Sequence, residues 1–235
     1  MKEKRNYTLR KRAATQEETR TRIVEATMAL HEELGPRATT ISAIAERAGV
    51  QRLTVYRHFP DDTAVFQACT SHWLSLNPPP DPAQWLKIED GAQRVRAALS
   101  RLYAYYRRTA RMWEVSFRDV ADVPALQQPM QGVRDYLRAL GDGLFDGMGE
   151  GAPAPAQEAT VRHALAYATW ASLAEQGLED SAMVDLVLCW IDGLGTAKKD
   201  PAAPGDARSP AGDDPERIEE EPGPSAPKRK PRPRR

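Results

Sequence analysis

The sequence predicts an all-α protein with a three-helix N-terminal domain and a larger helical domain behind it. Three observations predict that class. Apolar residues recur at spacings of three and four through most of residues 16–195. No run alternates with period two in β-branched residues. Glycine and proline gather at a few joints, "NPPPDP" at 77–82, "GEGAPAP" at 149–155 and "QGLED" at 176–180.

The chain reads in four parts. Residues 1–15 form a flexible basic arm, 16–62 a helix-turn-helix, 63–195 a larger helical domain, and 196–235 a disordered tail. The tail is rich in proline and charge, and Ile218 is its one large aliphatic residue, so it holds nothing to build a core from. The first helix covers 16–34, with Ile23, Ala26, Thr27, Leu30 and Leu34 on one face, and Gly35-Pro36 ends it. Thr40 is placed to cap a short second helix, 41–47. Gly49 breaks the chain there, and a third helix runs from Gln51 or Arg52 to near Phe59, where Pro60 stops it. Asp61 caps a fourth helix carrying Val65, Phe66 and Trp73. Amphipathic segments follow at 83–107, 109–120, 124–147, 155–176 and 179–195.

Two short helices across a tight glycine turn fit a helix-turn-helix. Ala45 is small where the helices cross, Gly49 tolerates positive φ, and Val55 plugs the space between them. The third helix then turns Arg52, Thr54, Tyr56, Arg57 and His58 outward. Arginines at such positions reach guanine edges or phosphates, and a threonine reaches a thymine methyl or a phosphate. The charge distribution agrees with a polyanionic partner at this end only. Residues 1–60 carry 12 Lys/Arg against 7 Asp/Glu (+5), and 61–195 carry 11 against 18 (−7).

The stretch "TRIVEATMALHEELGPRATTISAIAERAGVQRLTVYRHFPDDTAVFQAC" resembles the N-terminal domain of TetR family transcriptional regulators. The resemblance implies an all-α homodimer in which three helices bind DNA and about six more bind a small ligand and dimerise. Position by position, it implies that Thr40 touches phosphate and Ser42 reaches a base. It places Arg52, Leu53, Thr54 and Arg57 toward bases, and Tyr56 and His58 toward phosphate. Many members carry Ser-Lys or Asn-Lys after Phe-Pro, where the lysine meets a phosphate; this chain has Asp61-Asp62. The basic arm, with Lys2, Lys4, Arg5, Arg10, Lys11 and Arg12, is expected to compensate along the phosphates.

In the second domain, aromatic residues concentrate at 92–119. With the implied ligand site, Tyr103, Tyr106, Met112, Trp113, Phe117, Tyr136 and Trp170 are the expected pocket. Glu114, Arg118 and Asp119 either orient a ligand or, for Glu114 and Arg118 at i,i+4, form a surface pair. Ala164, Ala168, Ala171, Val187, Ile191 and Leu194 on the last two helices are the expected dimer seam, or else a buried intramolecular pair.

No phosphate loop, zinc spacing or nucleophile elbow appears, and the four histidines lie in separate segments, so the reading is not an enzyme and requires no cofactor or metal. Cys69 and Cys189 stand far apart and are read as free thiols, which suits a reducing compartment. With no long apolar run, the expectation is a cytoplasmic bacterial protein associated with the nucleoid and not with membrane. Its expected partners are a double-stranded DNA operator, a small-molecule effector and a second copy of itself. The expected function is a repressor on a palindromic operator, released by the effector. The alternative is a DNA-binding dimer that senses no small molecule.

Overall fold

The computed structural model describes residues 2–145 and 155–196, with side chains from 10 to 145 and from 155 to 194. Among these residues the regular structure is helical. The α-helices are α1 Lys2–Leu34, α2 Ile41–Ala48, α3 Arg52–His58, α4 Asp62–Leu76, α5 Gly91–Asp119, α6 Pro124–Phe145, α7 Pro155–Leu165, α8 Tyr167–Glu175 and α9 Asp180–Thr196. Short 3-10 turns cover Pro36–Ala38 and Pro82–Gln84. The tail at 196–235 falls, beyond Thr196, outside the described residues.

The N-terminal three helices fold as their sequence directs. Ile23, Ile44 and Val55 are fully buried where α1, α2 and α3 meet. The Thr40 hydroxyl accepts from the Ala43 amide at 3.2 Å, and Asp61 accepts from Ala64 at 2.8 Å, so both expected caps are made. Gly49 sits at φ 65° and ψ 39°. Its amide reaches the Glu46 carbonyl at 3.1 Å, and the Val50 amide reaches Ala45 at 2.9 Å. That pair of bonds is a Schellman ending, which needs a left-handed residue between the two helices.

Helix α1 extends back to Lys2, through the residues expected to form a flexible arm. No glycine or proline interrupts 2–34, and the arm is rich in Lys, Arg and Ala, which lose little in a helix. Thr15 and Thr19 return their hydroxyls to the carbonyls four residues back. Leu34, expected to face inward, is 48% exposed because the helix ends there and Gly35 redirects the chain.

The second half differs from the sequence reading in two places. The segments 83–107 and 109–120 are one helix, α5, which begins at Gly91 under an Asp90 cap (2.7 Å to the Gln93 amide). It is the central strut of the fold, packing against α1, α6, α7, α8 and α9. The 155–176 segment is two helices, broken at Ala166, whose ψ of 137° is extended. No glycine or proline marks this break. Hydroxyls take up the freed carbonyls: Tyr103 donates to Ala164 (3.0 Å), Tyr106 to Leu165 (2.8 Å) and Thr169 to His163 (2.6 Å). Buried carbonyls need such partners, and α5 supplies two of the three.

The loop between α4 and α5 is pinned from inside. Arg94, 4% exposed, donates from Nε to the Ile88 carbonyl at 2.7 Å, and Trp85 is fully buried. Among the described residues no helix is long and apolar enough to cross a membrane.

Candidate functional site

Two features stand out: the exposed face of α3 and an apolar cavity behind it. Helix α3 is amphipathic in a small space. Val55 (fully buried) and Phe59, its C-cap, anchor it, while Leu53 and Tyr56 stand 59% and 41% exposed. Large apolar side chains left in water on a seven-residue helix invite a covering surface. Arg52 and Arg57 are exposed beside them, and Thr54 and His58 lie at the edge. Ser42 and Thr40 are exposed at the start of α2. The structure therefore gathers all eight expected DNA-facing residues on two adjoining helices.

The frame behind is braced by arginines from α1 and α2. Arg22 donates to the Ala48 carbonyl (3.2 Å), Arg20 lies over the Phe59 ring (4.8 Å), and Arg47 pairs with Glu33 (2.7 Å). Arg10, Lys11 and Arg12 are exposed on the extended α1, and Asp61 and Asp62 are exposed at the start of α4. The acidic pair is thus solvent-facing next to the end of α3, with Asp61 committed to its cap.

Behind the helix-turn-helix, α1, α4, α5 and α6 enclose a cavity of about 600 Å³. Four of the expected pocket residues line it: Tyr106, Met112, Trp113 and Tyr136. Three do not. Tyr103 is fully buried against α7. Phe117 lies on the other side of α5, 38% exposed and stacked on Tyr167 at 5.4 Å. Trp170 donates to Asp180 (3.1 Å), which also holds Arg107, at the α5–α9 contact. The reason is helical geometry: α5 is one continuous rod, so its aromatics divide between two faces. Residues not foreseen on the cavity wall include His31, Cys69, Trp73, Tyr105, Ser116 and Met130. For His31 a signal existed, since it continues the buried i,i+4 row Ile23–Thr27.

The cavity touches the DNA-facing half through the end of α1. His31 is 4% exposed, its Nδ1 lies 3.6 Å from the Cys69 sulfur, and the Phe66 ring meets it edge-on at 4.5 Å. Burial pulls its pKa down to about 4, against a smaller opposing pull from the Asp119 carboxylate. Burial also pushes the Cys69 thiol up to about 12, so that sulfur stays protonated. Just beyond, Asp119, 2% exposed, accepts from the Arg37 amide (3.0 Å) and from Arg118 Nε (2.7 Å). The Arg118 hydrogen bond is the first cause of its lowered carboxyl pKa. Arg111 and Arg118 donate to the carbonyls of Glu32, Glu33 and Leu34. Glu114 pairs with Arg111 (3.0 Å) rather than Arg118, so the expected i,i+4 pair is not formed, and Glu114, Arg118 and Asp119 are not on the cavity wall. Arg111, Arg118 and Asp119 clamp α5 to the end of α1 and the turn after it.

His31 makes stability depend on pH. Its folded pKa lies below its unfolded value of 6.5, so its neutral form is favoured by folding. That stability is fully present above pH 6.5 and is lost as pH falls toward 4, in total about 3 kcal/mol. Urea denaturation across this range should show the decline, and His31→Gln should flatten it. An unchanged slope in the variant would assign the decline to other groups.

Among the expected dimer residues, Ala164 and Val187 are buried within the subunit, where α7 packs on α9. Close packing of small residues serves the intramolecular pair at these two positions. Ala168 is exposed, and Ala171, Ile191 and Leu194 are partly so, beside Trp190 at 37%.

Comparison with known proteins agrees with this geometry. Residues 23–69 match the family described as bacterial regulatory proteins, tetR family. Over 75 residues the chain is 41% identical to the HTH-type transcriptional regulator SrpR of Pseudomonas putida. That stretch is 31% of this chain and 35% of SrpR, so the chain matches about a third of that relative's length. A TetR-like transcriptional regulator from Rhodococcus sp. RHA1 superposes with a TM-score of 0.52 at 19% identity, covering 77% of this chain and 97% of its own. The fatty acid degradation regulator FadR from Bacillus halodurans superposes with a TM-score of 0.52 at 16% identity, covering 73% and 93%. At such identities the two structures establish a shared fold. Residues 23–69, the helix-turn-helix, thus match the tetR family of bacterial regulatory proteins, and the described helices share the fold of the two solved regulators.

Proposed function

We propose that this protein is a cytoplasmic transcription regulator, a homodimer that represses from a palindromic DNA operator and is released when a small molecule fills the cavity. The observation that carries the DNA-binding part is α3: a braced helix presenting Arg52, Leu53, Tyr56 and Arg57 to solvent. Among the described residues neither guanidinium forms an ion pair or a hydrogen bond. Each reading helix contacts few base pairs, and two copies on successive major grooves, about 34 Å apart, supply specificity. The apolar side chains left at the surface of α8 and α9 support the dimer, with Ala168, Ala171, Trp190, Ile191 and Leu194 as its seam. The cavity beside the end of α1 supports release by an effector. Occupancy shifts the subunit arrangement only to the extent that the effector prefers one arrangement.

The test is fluorescence anisotropy with a duplex from just upstream of the protein's own coding region, beside a scrambled duplex, at several salt concentrations. Selective binding of two subunits with a steep salt slope is expected. Arg57→Ala is expected to weaken selective binding by at least about tenfold. Equal binding to both duplexes, unaffected by this substitution, would overturn the reading for that duplex and for α3.

A further inference from the structure

We propose that the cavity takes an uncharged, mainly apolar molecule bearing a hydroxyl, and that Nε2 of His31 is the group that meets this hydroxyl. The proposal rests on reading the cavity as an effector site and names the chemistry of that effector. Its first ground is charge. Among the described residues that line the cavity there is no Asp, Glu, Lys or Arg. A carboxylate or ammonium entering it would leave water without meeting a counter-ion, which is costly. Burial also keeps the His31 ring neutral, with a pKa of about 4, so it supplies no positive charge at neutral pH.

The second ground is an unpaired atom. Most buried polar groups of the wall are already engaged. Tyr105, Tyr106 and Tyr136 donate to the carbonyls of Asn77, Leu165 and Pro80, and the Trp113 indole donates to Thr109. His31 Nε2 is buried with no partner; the other such side-chain atom among the described residues, Trp85 Nε1, does not belong to the cavity wall. A buried ring nitrogen without a partner loses free energy that a guest restores. Nδ1 faces the Cys69 sulfur, which donates or accepts weakly, so either ring tautomer fits that contact. A hydroxyl also donates or accepts, and it matches Nε2 in both tautomers. The aromatic wall, with Trp73 and Trp113 edge-on at 5.6 Å, then suits an aromatic or aliphatic body.

The position of this contact gives it leverage. His31 lies in the last turn of α1, and its carbonyl accepts from the Gly35 amide at 2.9 Å, where the chain leaves for α2. A guest on His31 therefore touches the helix that carries the DNA-facing unit.

The experiment is equilibrium dialysis of the full chain at neutral pH with 2-naphthol, naphthalene and 2-naphthoate, three probes sharing one ring system. 2-Naphthol is expected to bind at least about tenfold more tightly than either of the others. His31→Leu should abolish the preference for naphthol over naphthalene while leaving naphthalene binding nearly unchanged. His31→Gln, which keeps a donor and an acceptor, should retain part of the preference. Circular dichroism checks that each variant is folded, and the Gln variant alone decides the matter if the Leu variant is not. Naphthoate binding as tightly as naphthol, a preference that survives both substitutions, or no binding of any probe at its solubility limit would overturn the proposal. Operator binding by the same preparations is scored separately. Lost DNA selectivity with an intact naphthol preference counts against the regulator reading alone, and the converse counts against the hydroxyl proposal alone.

Discussion

Gly35→Ala is expected to destabilise the protein by about 3 kcal/mol, from the combined strain of a forbidden backbone and a displaced clamp. Gly35 stands at φ 90° and ψ 156°, a region that side chains avoid. A Cβ there would lie 2.0 Å from Arg118 Nη2 and 2.6 Å from the Asp119 carboxylate. Arg118 can swing aside, but Asp119 is buried and holds the Arg37 amide. The substitution therefore forces apart the contact through which α5 grips the end of α1. Urea denaturation followed by circular dichroism measures the loss. A change under 1 kcal/mol would mean that the turn relaxes without straining the clamp. The same variant bears on signalling. If the clamp couples the cavity to α3, Gly35→Ala should alter DNA affinity even though Gly35 is not among the DNA-facing residues.

The double substitution Tyr103→Phe with Tyr106→Phe should cost about 2–6 kcal/mol, since each buried carbonyl left unsatisfied costs about 1–3 kcal/mol. Both hydroxyls end on the Ala164 and Leu165 carbonyls at the α7–α8 break, and both residues are at most 2% exposed. The rings remain, so packing is almost unchanged and the effect isolates the two hydrogen bonds. Amide hydrogen exchange supplies the second readout. Protection should fall around residues 163–170 well before it falls in α9. If stability is unaffected, the helix closes across Ala166 once the hydroxyls are gone, and the break is then a product of the tyrosines rather than of the surrounding packing.

These two cases mark where sequence reasoning succeeds and where it stops. The helix-turn-helix is legible because its determinants are local. Gly49 terminates α2 in a left-handed ending, Thr40 and Asp61 bond amides three residues on, and Val55, six residues beyond Gly49, fills the gap between α2 and α3. The outward set on α3 follows from the same periodicity. The arm is less legible, since a charged stretch without glycine or proline reads equally as a solvated coil or as the start of α1.

The cavity was only half legible. Periodicity identifies the aromatic faces of α5, but it does not say which face meets α6 and which meets α8, so Phe117 and Trp170 lie off the cavity wall while His31, from a helix about sixty residues earlier, lies on it. The Ala164 and Val187 positions illustrate the same ambiguity, because a seam within a subunit and a seam between subunits have the same apolar pattern. The α7–α8 break has no local signal at all. By itself, the sequence determined the all-α class, the helix-turn-helix and its outward residues, because caps, turns and helical period act over a few residues. Only the tertiary structure decided which residues enclose the cavity, where His31 sits and why Ala166 interrupts a helix, because those depend on side chains brought together from about sixty to eighty residues apart.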